Sequence, residues 1–225
     1  GKVPGAGNEL VATITTAQGV LTCTLDERAP QTVANFIGLA TGQLEWIEND
    51  QQKQSRFYDG LTFHRAVTDF IIQTGNPTGK ANAGPGWRIA RETGANELYL
   101  QAGAMGMIEE GEASHGSQFF ITAKPDKNLG KNYSGFGLCK PAELVKTISR
   151  AEKKANDPKA PAAPLVIESI KIERRNPPPP EVEVQAPADG DVQPAGDVQP
   201  AGDAQSAGEV QPTGGAEPAP PTKAD

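Results

Sequence analysis

The chain has 225 residues and a formal net charge of −7, with 36% hydrophobic, 22% charged and only 5% aromatic residues. Residues 177–225 hold 11 of the 20 prolines, 6 of the 25 glycines, 9 acidic residues, one base (Lys223) and no aromatic, a composition that cannot build a core. The rest of the chain carries 20 basic against 19 acidic side chains, which speaks against the concentrated basic face that gripping nucleic acid requires.

No apolar run reaches the roughly 18 residues needed to span a bilayer. The opening Gly1-Lys2-Val3-Pro4-Gly5 lacks the apolar region of a secretory signal. The chain therefore reads as soluble, at the cell envelope or secreted if a leader has been removed and cytoplasmic otherwise. It divides into an N-terminal extension (1–9), a folded domain (10–175) and a disordered acidic tail (176–225). The tail repeats a six-residue unit beginning at Asp191, Asp197, Asp203 and Glu209. Each unit offers one small apolar residue and usually a proline, so stacking buries too little to offset chain ordering. The Pro177–Pro180 run reads as a stiff linker.

In chain order, residues 10–16 and 19–25 are short β-branched runs joined by a Gly-containing turn and predict a hairpin. Cys23 alternates with Leu21 and Leu25 and reads as a buried thiol, in preference to a disulfide with Cys139. A helix follows: Pro30 suits its first position, Val33, Phe36, Ile37 and Ala40 recur at helical spacing, and Gly42 ends it. Residues 42–57 read as a polar connection. Leu61–Ala66, Phe70–Gln73, Gln118–Thr122 and Phe136–Cys139 are strand candidates separated by Gly-rich loops, a spacing that points to an antiparallel sheet or barrel. A second helix from Pro141 is expected to bury Leu144, Val145 and Ile148, and Leu165–Ile172 is the last strand. Short strands with two helices predict a mostly β fold, a closed barrel capped by helices.

Several chemistries are poorly supported. Gly75-Asn76-Pro77-Thr78-Gly79-Lys80 has one residue too few for a phosphate loop and no hydroxyl residue after Lys80. The two histidines, His64 and His115, lie in no ligand-spaced cluster, so no metal site is expected. Ser117 sits in Gly116-Ser117-Gln118 rather than in a nucleophile elbow.

The stretch from Phe63-His64-Arg65 through Phe70-Ile71-Ile72-Gln73 to Gly75-Asn76-Pro77, then Gly84-Pro85-Gly86 and Gly116-Ser117-Gln118-Phe119-Phe120-Ile121-Thr122, resembles the cyclophilin family of peptidyl-prolyl cis-trans isomerases. The likeness continues in Ala29–Phe36, Phe57–Leu61 and Phe136-Gly137, in the family's order, over roughly residues 10–174. It implies a closed eight-stranded antiparallel barrel capped by two helices. The implied activity is rotation of X-Pro bonds in proline-containing polypeptides by a monomer that needs no cofactor. The alternative is a proline-peptide-binding module with weak or lost catalysis.

By position in these motifs, Arg65 matches the family's catalytic arginine, with Phe70, Gln73 and Phe120 beside it in the catalytic set. Phe70 and Phe120 would form the floor of a proline pocket and Ile71 and Leu129 its aliphatic wall, while Gln73 and Gln118 would bond the substrate backbone. Glu109 and Tyr133 complete the expected substrate contacts. Two departures stand out. Ile108-Glu109-Glu110-Gly111-Glu112 replaces the family's usual Ala-Asn-Ala-Gly-Pro, which predicts an acidic groove favouring Lys or Arg before the proline. Asn128 stands where cyclosporin-sensitive members have Trp, and Tyr133 where many have His. A lost indole removes apolar area and a donor, so weak or no cyclosporin binding is expected.

Overall fold

A computed structural model describes residues 3–48, 50–78 and 83–177; the acidic repeat tail lies outside the described residues. Strands β1 (Glu9–Thr16) and β2 (Gly19–Leu25) pair as the expected hairpin. Their alternation turns Leu10, Ala12 and Ile14 on one strand, and Leu21, Cys23 and Leu25 on the other, into the core. Helix α1 (Pro30–Thr41) starts at proline and buries Val33, Phe36, Leu39 and Ala40. Gly42 ends it at φ 72°, where its N–H reaches the carbonyls of Gly38 and Leu39.

The connection expected to be merely polar contains a small hairpin, β3 (Trp46–Glu48) and β4 (Gln51–Lys53), anchored by Trp46 edge-on to Phe57 at 4.9 Å. β5 (Arg65–Val67) and β6 (Ile71–Thr74) follow, then a 3-10 turn over Asn96–Leu100. β7 (Ala104–Glu110), which the sequence pattern does not announce, forms a hairpin with β8 (Ala113–Thr122). A second 3-10 turn over Leu129–Lys131 leads to β9 (Gly135–Lys140) and helix α2 (Ala142–Ser149), which buries Val145 and Ile148 and leaves Leu144 half-buried. A minor hairpin, β10 (Lys153–Lys154) with β11 (Asp157–Pro161), precedes β12 (Ile167–Arg175).

Eight strands form one curled sheet in the order β12-β1-β2-β9-β7-β8-β6-β5. The expected closed barrel is corrected to a curled half-barrel, because β5 and β12 remain its edges. Of the predicted strand Leu61–Ala66 only the end joins the ladder. Leu61 and Phe63 meet residues 165–167 through two backbone hydrogen bonds, Phe63 N–H to Leu165 O at 2.9 Å and Ile167 N–H to Leu61 O at 2.7 Å, and one isolated bridge between Thr62 and Val166. A second correction concerns Cys23. It opposes Cys139 in the register of β2 with β9, and the two are joined by a disulfide. The pairing of strands 116 residues apart puts them together, which no local pattern could reveal.

Two apolar clusters occupy the two faces of this sheet. The larger centres on Phe36, whose ring lies 5.3–5.5 Å from Tyr58, Phe119 and Phe136. The smaller joins Ile71, Tyr99, Ala104 and Phe120, with Phe70, Ile108, Leu129 and Tyr133 packed at its margin. Alternation along β8 sends Phe119 to the first cluster and Phe120 to the second.

Candidate active site

The smaller cluster has a polar row along one side. Register sets that row: Arg65 on β5 opposes Gln73 on β6, and Gln73 opposes Phe120 on β8. Arg65 Nη1 donates to Gln73 Oε1 at 3.4 Å, and Gln73 Nε2 donates to Gln118 Oε1 at 3.2 Å. Gln118 in turn donates to Ala83 O at 2.9 Å. Both glutamines are buried, Arg65 is half-buried, and its Nε finds no hydrogen-bond partner among the described residues. A guanidinium that keeps an unused donor beside an apolar surface is costly to leave unpaired.

Two elements hold this edge. Asp69, at φ 54°, makes the tight turn between β5 and β6 that presents Phe70; the left-handed region suits Asp better than most residues. The turn is fastened to the end of α2 by Asp69 N–H to Ser149 Oγ at 3.1 Å and by the Arg150–Asp69 pair at 2.6 and 3.0 Å. That pair holds the Asp69 carboxyl below its usual range. Burial and the adjacent Arg65 charge hold His64 below its ordinary 6.5, so it stays neutral at neutral pH and adds no charge beside the guanidinium.

Arg65, Phe70, Ile71, Gln73, Gln118, Phe120, Leu129 and Tyr133 thus share one face. Phe120 is 2% exposed and forms the floor, with Tyr133 edge-on at 5.2 Å. Asn128 is exposed at the start of the turn that carries Leu129. Sequence reasoning missed two neighbours. Tyr99 stacks under Phe120 at 6.1 Å and is fully buried, and Lys124 Nζ stands 5.9 Å over the Phe70 ring. Gly106 permits that stacking: a Cβ there would lie 2.6 Å from the Phe120 ring and against the Tyr99 hydroxyl.

Glu109 sits differently from the others. Its side chain is 2% exposed and faces Arg91 and Ser134, so the carboxylate does not line the groove surface. The β7–β8 register shifts between Met107 and Glu109, and there Ile108 packs with the smaller cluster while Glu109 turns to Arg91 and Ser134. The loop over residues 89–91 runs beside Glu112–Ser114, bonded at Arg91 N–H to Glu112 O (3.0 Å) and Ser114 N–H to Ile89 O (2.8 Å). It brings Arg91 Nε to 3.7 Å from Glu109, and Arg88 to 2.5 Å from Glu110. Of the three carboxylates expected to make the groove acidic, two are therefore matched by arginines, and Glu112 alone is exposed at the hairpin turn without an ion pair among the described residues.

The described residues hold no group of three or more His, Cys, Asp or Glu arranged to bind a metal, and no helix long and apolar enough to cross a membrane. What the arrangement offers is one guanidinium, two amides and an apolar floor.

Residues 11–172 match the family model described as cyclophilin type peptidyl-prolyl cis-trans isomerase/CLD. The chain is 35% identical over 172 residues to peptidyl-prolyl cis-trans isomerase B of Streptomyces anulatus, covering 74% of this chain and 98% of the relative. It is 37% identical over 167 residues to peptidyl-prolyl cis-trans isomerase A of Mycobacterium tuberculosis, covering 72% and 91%. A crystal structure of a cyclophilin type isomerase from Cryptosporidium parvum superposes with a TM-score of 0.63 at 26% identity, over 76% of this chain and all of that one. A second structure of the Cryptosporidium protein, in the presence of the dipeptide Ala-Pro, has a TM-score of 0.62 at 25% identity. With the family's motifs in order and its fold around them, the chain belongs to the cyclophilin-type peptidyl-prolyl cis-trans isomerases.

Proposed function

We propose that this chain accelerates X-Pro rotation at the Arg65 face, with Arg65 as the electrostatic catalyst and Phe70, Ile71, Phe120, Leu129 and Tyr133 as the proline pocket. The single observation that carries this reading is the half-buried Arg65, tethered to Gln73 with its Nε unused, at the margin of the Phe120 floor.

Amide resonance sets a barrier of about 18–20 kcal/mol. As the bond twists, the prolyl nitrogen becomes pyramidal and gains a lone pair that the planar amide lacks. A fixed cationic donor bonds that lone pair better than it bonds the ground state, which is the condition for lowering a barrier. About 4 kcal/mol of such preference gives a thousandfold acceleration, within the range of a charged hydrogen bond plus orientation in a water-poor pocket. Gln73 steadies the guanidinium, and Gln118 with Gln73 offers amide groups to the substrate backbone. The Ala-Pro dipeptide named with the Cryptosporidium relative supports a small prolyl ligand as the occupant. The relatives' isomerase names favour catalysis over a groove that only binds.

The test is a protease-coupled isomerisation assay on an Ala-Pro peptide. Arg65→Ala is expected to lower kcat/KM by about two orders of magnitude, some 2.7 kcal/mol, with peptide binding retained. An unchanged rate overturns the assignment.

A further inference from the structure

The Glu109 carboxylate is buried, ionisable and unused by the mechanism above. Glu109 Oε1 accepts from Ser134 N–H at 2.6 Å and from the Ser134 hydroxyl, and Arg91 stands on its other side at 3.7 Å. Ser134 is a junction. Its hydroxyl also accepts from Glu92 N–H at 2.8 Å, and its carbonyl accepts from Met107 N–H at 3.1 Å. The residue before it, Tyr133, is bonded back to Leu129 O at 3.0 Å and lays its ring edge-on against Phe120. Only the backbone step from Ser134 to Tyr133 separates the carboxylate from the pocket wall.

We propose that Glu109 is a positioning residue: by accepting two hydrogen bonds from Ser134 it fixes the segment that carries Leu129 and Tyr133, and so sets the width of the proline pocket without touching substrate. The inference rests on the pocket reading above. It assigns a use to one of the three glutamates that depart from the family pattern, the one standing where the family has Asn. An amide or alanine side chain offers less at this place. A carboxylate oxygen accepts both bonds more strongly than an amide oxygen does, with Arg91 opposite its charge, and alanine offers no acceptor at all. The carboxylate adds to the backbone bond between Met107 and Ser134 and draws Arg91, on the 89–91 loop, to the same place.

The experiment measures KM and kcat of full-length Glu109→Ala and Glu109→Gln on Ala-Pro, Lys-Pro and Glu-Pro peptides, with Arg65→Ala beside them. Glu109→Ala is expected to raise KM about tenfold, the effect of losing one or two hydrogen bonds, by the same factor for all three peptides and with kcat little changed. Glu109→Gln, which keeps an acceptor, recovers most of that loss. The chain has three tyrosines, so fluorotyrosine NMR resolves them individually. The Tyr133 signal should move and broaden in Glu109→Ala while the Tyr58 signal stays in place. A KM rise confined to Lys-Pro assigns the carboxylate to substrate contact and overturns the proposal. Wild-type KM in Glu109→Ala, or Glu109→Gln as impaired as Glu109→Ala, also overturns it. Should Glu109→Ala fail to fold, Glu109→Asp, whose carboxylate stops one methylene short of Ser134, carries the same expected KM rise. An active Arg65→Ala indicts the pocket reading instead.

Discussion

Glu109 stands among groups that pull its proton in opposite directions. Burial is the strongest influence and lifts its carboxyl above the ordinary 4.5, against the Ser134 hydrogen bonds and the Arg91 charge that lower it. Burial, with the Glu109 charge and Tyr133 behind it, pushes the Tyr99 hydroxyl up. Above 4.5 the folded protein therefore binds more protons at this site than the unfolded chain does, so the contribution to stability falls as pH rises through the window between the two values. Glutamine removes the titration and leaves every other group in place. The Tm of Glu109→Gln relative to wild type is accordingly expected to shift in favour of the glutamine variant as pH rises above 4.5, and a difference that does not change with pH refutes the linkage. The inward turn of this carboxylate was not legible in the sequence, where Glu109, Glu110 and Glu112 look alike. Arg65, Gln73, Gln118 and Phe120 were legible because their order is a motif. Tyr99 was not, since one ring among Asn96, Glu97, Leu98 and Leu100 gives no sign of lying beneath Phe120.

Elements whose signals are local could be read in advance. The β1–β2 hairpin and α1 follow from alternation and helical spacing within a few residues, and both occur where expected. β7 was missed because Ala104-Met105-Gly106-Met107 combines two glycine-spaced methionines with no β-branched residue, so only its pairing with β8 and β9 makes it a strand. The start of α1 depends likewise on a distant partner. Ala29 cannot cap it and no acidic residue lies in its first turn. Instead Glu92, some 60 residues later, accepts from the N–H groups of Gln31 (3.1 Å) and Thr32 (2.7 Å). A carboxylate there satisfies two orphan donors and faces the positive end of the helix. Glu92→Ala is expected to lower stability by about 1–2 kcal/mol in chemical denaturation, with the slope unchanged. An unaltered midpoint means that α1 does not depend on this cap.

At the scale of the whole molecule, one sheet serves two purposes on its two faces. The larger cluster around Phe36 binds α1 to the strands, and the smaller cluster under Phe120 carries the face proposed to take substrate. Their separation at alternate residues of β8 and β7 lets one face be altered with limited effect on the other. The disulfide offers the test. Cys23 and Cys139 are both fully buried in the larger cluster, and their bond closes a loop of 116 residues across β2 and β9. Closing so long a loop restricts the unfolded chain most of all, which by chain-entropy arguments gives about 4–5 kcal/mol and in practice about 2–4. Arg65, Gln73 and Phe120 lie on β5, β6 and β8, beyond β9 and β7 from the bridge. The double variant Cys23→Ala/Cys139→Ala is therefore expected to lose about 2–4 kcal/mol of stability while its kcat/KM at a temperature well below the transition stays within about twofold of wild type. A large fall in turnover from a variant shown to be folded at the assay temperature means that the two faces are coupled through β9, and that the pocket depends on the larger cluster as well as on its own margin.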